Sequence, residues 1–136
     1  MIEERGVQPY QGSVRLIYQL RDRGFRMAVV TSSQDCTAVL KATHLDEVFG
    51  VLVDGNMLHE HHLAGKPAPD MFLLAAKRLG VEPQRAIVIE DAISGVQAGS
   101  NGQFGLVIGV ARKNNAEELR HNGAQLVVND LGDLVD

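Results

Sequence analysis

The chain has 136 residues, 45% hydrophobic and 22% charged, enough for one domain that buries roughly two-thirds of its unfolded surface. A formal net charge of −4 excludes a surface built for nucleic acid or anionic membranes, whose phosphates are held by accumulated Lys and Arg. No apolar run approaches the ~18 residues of a membrane span, and Met1-Ile2-Glu3-Glu4-Arg5 is no signal peptide, so the reading is a cytoplasmic protein. Its single cysteine, Cys36, has no internal disulfide partner and no Cys/His ligand set around it, and is read as a buried structural thiol.

In chain order, Val14, Ile17 and Leu20 recur at helical spacing and predict a helix before the first strand, "FRMAVV" (25–30). Val39 marks a helix after it. A second strand is read in "VFGVLV" (48–53), although the turn dipeptide Asp54-Gly55 leaves a short hairpin over "VFGVLVDGNML" open. Phe72, Leu73, Ala76 and Leu79 predict the next helix. "AIVIE" (86–90), "FGLVIGV" (104–110) and "AQLVV" (124–128) read as strands, with short helices over 94–101 and 115–122 between them. Strands that are apolar at nearly every position are buried on both faces. The expected class is therefore α/β, a doubly wound and mostly parallel sheet covered by helices, in one domain running to Asp136.

Ligands of such sheets sit at the carboxyl ends of the strands, and three of those ends carry chemistry. The first strand runs into Thr31-Ser32-Ser33, hydroxyls at a helix start that serve either as N-caps or as an anion site. In "LAGKPAPDMF" (63–72), Pro67 biases Lys66 toward an extended conformation and Pro69 suits the first turn of the following helix, so the ammonium is aimed in a restricted direction. Glu90-Asp91 closes "AIVIEDAISG" with adjacent carboxylates, hard oxygen donors of the kind that bind Mg²⁺. A hydroxyl turn, a fixed lysine and paired carboxylates together fit a phosphoryl group handled beside a divalent cation.

"VVTSS", "GKPAPDMF" and "VIEDAISGVQAG" resemble the second, third and fourth motifs of the haloacid dehalogenase superfamily of phosphohydrolases, and the wording is most similar to its β-phosphoglucomutase-like branch. The resemblance covers about Pro9 to Leu134. It implies that Thr31 and Lys66 are catalytic and contact the transferring phosphoryl group, with Ser32 beside Thr31 in the phosphate-binding turn. It further implies that Asp91 holds Mg²⁺, with Glu90 as a ligand or as a partner behind it. The implied activity is that of a Mg²⁺-dependent phosphatase or phosphosugar mutase working through an aspartyl-phosphate on a small phosphorylated metabolite such as a sugar phosphate.

The superfamily's first motif, a DxD sequence that supplies the nucleophile, occurs nowhere in these 136 residues. The opening "GVQPYQGSVRLIYQLRDRG" resembles the segment that follows the cap, and the resemblance implies that the first strand and the cap lie upstream of Met1 and that the chain is the C-terminal part of a longer protein. Loss of a central strand leaves two edges open to self-association. The alternative reading is a non-catalytic phosphate-binding or interaction module, or one half of a complex. His59, His61 and His62 are either transition-metal ligands or polar loop residues. The glycines of "GSNGQFG" (99–105) end a helix and turn the chain. Arg112 and Lys113 lie at a strand end, either exposed or facing an anionic substrate.

Overall fold

Successive residues of a strand point to opposite faces, so strands apolar at every position need cover on both sides. The computed structural model describes residues 11–31, 49–111 and 114–129. Its elements run α1 (Gln11–Asp22), β1 (Ala28–Val30), β2 (Val51–Val53), α2 (Gly55–Glu60), α3 (Asp70–Leu79), a 3-10 turn (Pro83–Arg85), β3 (Ile87–Glu90), α4 (Ile93–Asn101), β4 (Leu106–Val110), α5 (Ala116–His121) and β5 (Leu126–Val128). Cys36, Ser32, Ser33, Val39, Arg112 and Lys113 lie outside the described residues.

Every described ladder is parallel: β1 pairs β2 with Val30 opposite Val53, β3 pairs β4 with Glu90 opposite Gly109, and β4 pairs β5 with Val110 opposite Val128. Among the described residues these strands form two sets, β1-β2 and β3-β4-β5, with no ladder between them. Both sets nevertheless contribute to the same two apolar layers. Val30, Val53, Val88 and Val107 pack with Met71, Phe72, Ala75 and Ala76 of α3 and Val96 and Ala98 of α4. On the opposite face Val29, Ile89, Ile108 and Val110 pack with Leu16 and Ile17 of α1. Adjacent residues of β1, β3 and β4 thus fall in different layers, and the fold is the expected α/β arrangement of parallel strands between helices.

β1, β4 and β5 begin two or three residues later than the apolar runs suggest, and the helix ends explain why. In every described α-helix the chain leaves through a residue of positive φ: Gly24 (83°), His62 (53°), Gly80 (76°), Gln103 (58°) and Gly123 (125°). The apolar residue that follows then donates its N–H to a carbonyl five residues back, as Phe25 to Leu20, Leu63 to Leu58, Val81 to Ala76, Phe104 to Gly99 and Ala124 to Leu119. This bond satisfies a carbonyl that the helix leaves open. Phe25, Phe104 and Ala124 therefore close helices rather than open strands. "GSNGQFG" behaves as read, with Gly102 as the cap of α4.

The hairpin over "VFGVLVDGNML" is not formed, because Asp54-Gly55 starts a helix. Asp54, 7% exposed, is the N-cap of α2, and its Oδ1 accepts from Asn56 N at 3.1 Å and Met57 N at 3.3 Å. Removing that acceptor strands two N–H groups at the end of β2, so Asp54→Ala is expected to lower stability by about 1–2 kcal/mol, while Asp54→Asn loses much less. Urea unfolding midpoints of the two variants check this, and equal midpoints for Asp54→Ala and the parent would refute it. In α3 the buried stripe is Met71, Phe72, Ala75 and Ala76, whereas Leu73 is 38% exposed, since each residue turns the helix by about 100° and Leu73 falls beyond the edge of that stripe. No described helix is long and apolar enough to cross a membrane.

Candidate active site

Among the described residues the carboxyl ends of β1 and β3 carry three of the four buried polar residues, the fourth being Asp54 at the end of β2. Thr31 follows β1, 6% exposed, and its N–H donates to Val53 O at 2.9 Å, extending the pairing with β2 by one bond. Glu90 ends β3 and Asp91 follows, at 1% and 8% exposure. Lys66 arrives from the segment between α2 and α3, and its Nζ donates to Glu90 Oε1 at 2.8 Å, with side chains 10% and 0% exposed respectively. The same ammonium stands 5.2 Å from the centroid of the Phe72 ring. Removing two charges from water costs several kcal/mol per ion, and a close pair with an aromatic face behind the cation offsets that cost.

The segment that carries Lys66 is tied down at both ends. Asp70 Oδ2 accepts from Ala64 N at 3.0 Å, Ala68 N donates to Gly65 O at 3.0 Å, and Asn101 Nδ2 at the end of α4 donates to Pro67 O at 3.0 Å. The Lys66–Pro67 peptide is cis, and Pro69 is the N-cap of α3 rather than a residue of its first turn. A Cβ on Gly65 would meet nothing within 4 Å, so this glycine is not what fixes the lysine. Hydrogen bonds to Asp70 and Asn101 do that work, and neither was legible as such in "GKPAP".

Glu90 needs its own space. A Cβ on Gly95, in the first turn of α4, would overlap Oε1, Cδ and Cγ of Glu90, so this glycine leaves the room that the buried carboxylate occupies. Glu90 Oε2 and Asp91 Oδ1 are buried oxygens that accept no hydrogen bond, although both residues have further interactions. Two carboxylates and a hydroxyl at strand ends are hard donors that suit a divalent cation such as Mg²⁺, which keeps waters and phosphate oxygens as its other ligands. Among the described residues no group of three His, Cys, Asp or Glu side chains is arranged to hold a metal alone. His59, His61 and His62 are exposed, and His61 Nε2 lies 3.4 Å from Arg78 Nη2.

The structure thus brings Lys66 and Glu90 into contact with Asp91 next in the chain, and puts Thr31 at the end of the neighbouring set of strands; Ser32 is outside the described residues. Phe72, Gly95 and Asn101 were missed as parts of the site, although each stood in a stretch already singled out: Phe72 closes "LAGKPAPDMF", Gly95 closes "AIVIEDAISG" and Asn101 lies in "GSNGQFG". A family model described as haloacid dehalogenase-like hydrolase matches residues 2–102. The chain belongs to this family. Within it, the chain is 45% identical over 138 residues to the β-phosphoglucomutase of Mycobacterium bovis, covering 99% of this chain and 53% of that protein. The crystal structure of a HAD phosphatase from Thermococcus onnurineus superposes with a TM-score of 0.81 at 28% identity, covering 93% of this chain and 56% of that one. CbbY from Rhodobacter sphaeroides, solved in complex with xylulose-1,5-bisphosphate, superposes with a TM-score of 0.75 at 27% identity over 91% of this chain and 55% of that one. The chain therefore spans about half the length of the β-phosphoglucomutase it matches. For a haloacid dehalogenase-like hydrolase of the β-phosphoglucomutase-like branch, "VVTSS", "GKPAPDMF" and "VIEDAISG" are the motifs that carry the assignment.

Proposed function

We propose that this chain is the phosphate- and cation-handling part of a Mg²⁺-dependent phosphatase or phosphosugar mutase that acts on a sugar phosphate. The observation that carries the reading is the Lys66–Glu90 pair at 2.8 Å beside Asp91, with the ammonium backed by Phe72. An ammonium has three donors, so after Glu90 takes one, two are left for the oxygens of a transferring phosphoryl group. The Thr31 hydroxyl is offered to the same oxygens, its N–H being already given to Val53 O, and Ser32 next to it in sequence is a further candidate donor. Asp91 suits the cation better than Glu90, whose Oε1 already faces an ammonium. Bound there, Mg²⁺ would neutralise charge on the phosphoryl oxygens.

The covalent step belongs to a DxD aspartate, which these 136 residues lack. Its carboxylate attacks phosphorus, the bond from phosphorus to the substrate oxygen breaks, and water or a second hydroxyl later takes the phosphoryl group from the aspartyl-phosphate. The absence of a described ladder between β1-β2 and β3-β4-β5 is consistent with a strand carrying that aspartate lying between the two sets. Support for a sugar phosphate comes from the relatives' own names, a β-phosphoglucomutase and a protein crystallised with a ketose bisphosphate. The missing DxD also favours a second reading, a phosphate-binding module without turnover or one half of a complex.

The 136-residue chain alone is expected to bind inorganic phosphate in the presence of Mg²⁺, to lose that binding on Asp91→Asn or Lys66→Ala, and to leave acetyl phosphate and hexose phosphates intact. Calorimetry and phosphate-release assays measure these. Phosphate binding indifferent to both substitutions would sink the proposed site, and Mg²⁺-dependent turnover that copurifies with the chain would sink the assignment of the nucleophile to another segment. Supplying a DxD strand and cap separates the two readings, since only an enzyme core gains turnover from it.

A further inference from the structure

We propose that the C-terminal end of α4, residues 101–104, is a strap that positions Lys66, and that Asn101 is its principal positioning residue. Three contacts on this short stretch reach the lysine segment. Asn101 Nδ2 donates to Pro67 O at 3.0 Å, directly after the lysine. Gly102 lets the chain pass so close that a Cβ there would lie 3.1 Å from Pro69 Cβ and 2.8 Å from Phe104 Cε2. Phe104 meets Phe72 edge to face, with centroids 6.0 Å apart and planes at 78°, and Phe72 in turn backs the Lys66 ammonium.

The opposite end of the same helix follows Glu90-Asp91 directly, through Ala92 as its N-cap. One nine-residue helix therefore holds the carboxylates at one end and grips the lysine segment with the other. Because a helix is stiff along its axis, the spacing between ammonium and carboxylates is set by a rigid rod rather than by the loop itself. A lysine carries four rotatable bonds, and without such a strap it has many ways to leave a pair at the edge of solvent. The catalytic importance given to Lys66 rests on the function proposed above, but the strap itself is a statement about where the ammonium is held.

Nitrogen-15 NMR of the lysine ammonium groups in the 136-residue chain tests it without any substrate. The Lys66 N–H signal is expected to persist in the parent, held by Glu90, and to be lost in Glu90→Gln. Asn101→Ala and the isosteric Asn101→Asp, which lacks the donor, are expected to speed exchange of the Lys66 protons with solvent about tenfold. Gly102→Ala, which pushes on Pro69 and Phe104, is expected to do the same. Asn101→Gln, which keeps the amide one methylene further out, is expected to recover part of the protection. A role for Asn101 in stability alone would move the melting temperature and leave Lys66 exchange untouched, and that outcome would overturn the proposal. So would a parent in which no slowly exchanging Lys66 signal exists, since a lysine that is not held needs no strap. If the strap variants behave as expected while phosphate binding is absent, the strap stands and the phosphoryl-transfer reading fails.

Discussion

Replacing Lys66 by alanine, in a form of the protein supplied with a DxD strand and cap, is expected to lower phosphoryl transfer by roughly two to three decades, equivalent to about 3–4 kcal/mol of transition-state stabilisation. Arginine keeps the charge but not the compact ammonium that fits between Glu90 and Phe72, and is expected to rescue only partly. Lys77→Ala is the control, since Lys77 is exposed on α3 and should leave the rate unchanged. Stability must move as well, because Lys66→Ala leaves Glu90 buried beside a vanished counter-charge. Breaking a buried pair from one side costs about 3–5 kcal/mol, and the lower end applies where Glu90 keeps other interactions. The double variant Lys66→Met, Glu90→Gln removes both charges and should recover most of the stability while the rate stays low. Loss of stability and loss of rate are thereby separated. Full activity in Lys66→Ala would mean that the lysine is a turn residue with no part in transfer.

The second large effect is expected from Gly95→Ala. Alanine in a helix is favoured over glycine by up to about 1 kcal/mol, so propensity alone predicts a gain. Against it stands the overlap of the new Cβ with the carboxylate of Glu90, a side chain that is 0% exposed and held by Lys66. Overpacking of this kind costs about 1–3 kcal/mol, and displacement of Glu90 adds the loss of its pair with Lys66. A net loss of about 2–3 kcal/mol, or roughly 10 °C in melting temperature for a domain of this size, is the expected result. Gly65→Ala, in the lysine segment but facing open space, should change neither stability nor rate. The measurements are thermal unfolding of the chain and, in the form supplied with the strand and cap, the rate at saturating substrate. A Gly95→Ala protein as stable as the parent would show that the carboxylate does not occupy the place the structure gives it.

In the 136-residue chain, the polar hydrogen bonds around Lys66 divide into those that sequence spacing could reach and those that it could not. Asp70 lies four residues after the lysine, within the quoted motif, and its bond to Ala64 is local. Glu90 and Asn101 lie 24 and 35 residues after it, and no spacing rule joins them to a lysine in a loop. The partners of a buried charge are chosen by which strand ends adjoin, and that is a property of the packed sheet.

What the sequence by itself determined is the class, the order of strands and helices, and the candidate residues for the proposed chemistry. Strands apolar at every position require cover on both faces, and Lys66, Asp91 and Thr31 are proposed for phosphate and cation because their residue types suit that chemistry at strand ends. Tertiary structure decided three things that periodicity could not. Asp54-Gly55 caps a helix instead of turning a hairpin, because β2 pairs in parallel with β1 and the chain has to cross over before it returns. Phe25, Phe104 and Ala124 close helices instead of opening strands, because a carbonyl left open at each helix end takes their N–H first. Glu90, read as a ligand of the metal or as a partner behind it, is paired with the Lys66 ammonium, because burial of a charge at the end of β3 demands an opposite charge within hydrogen-bond reach, and the fold delivers Lys66 to that spot.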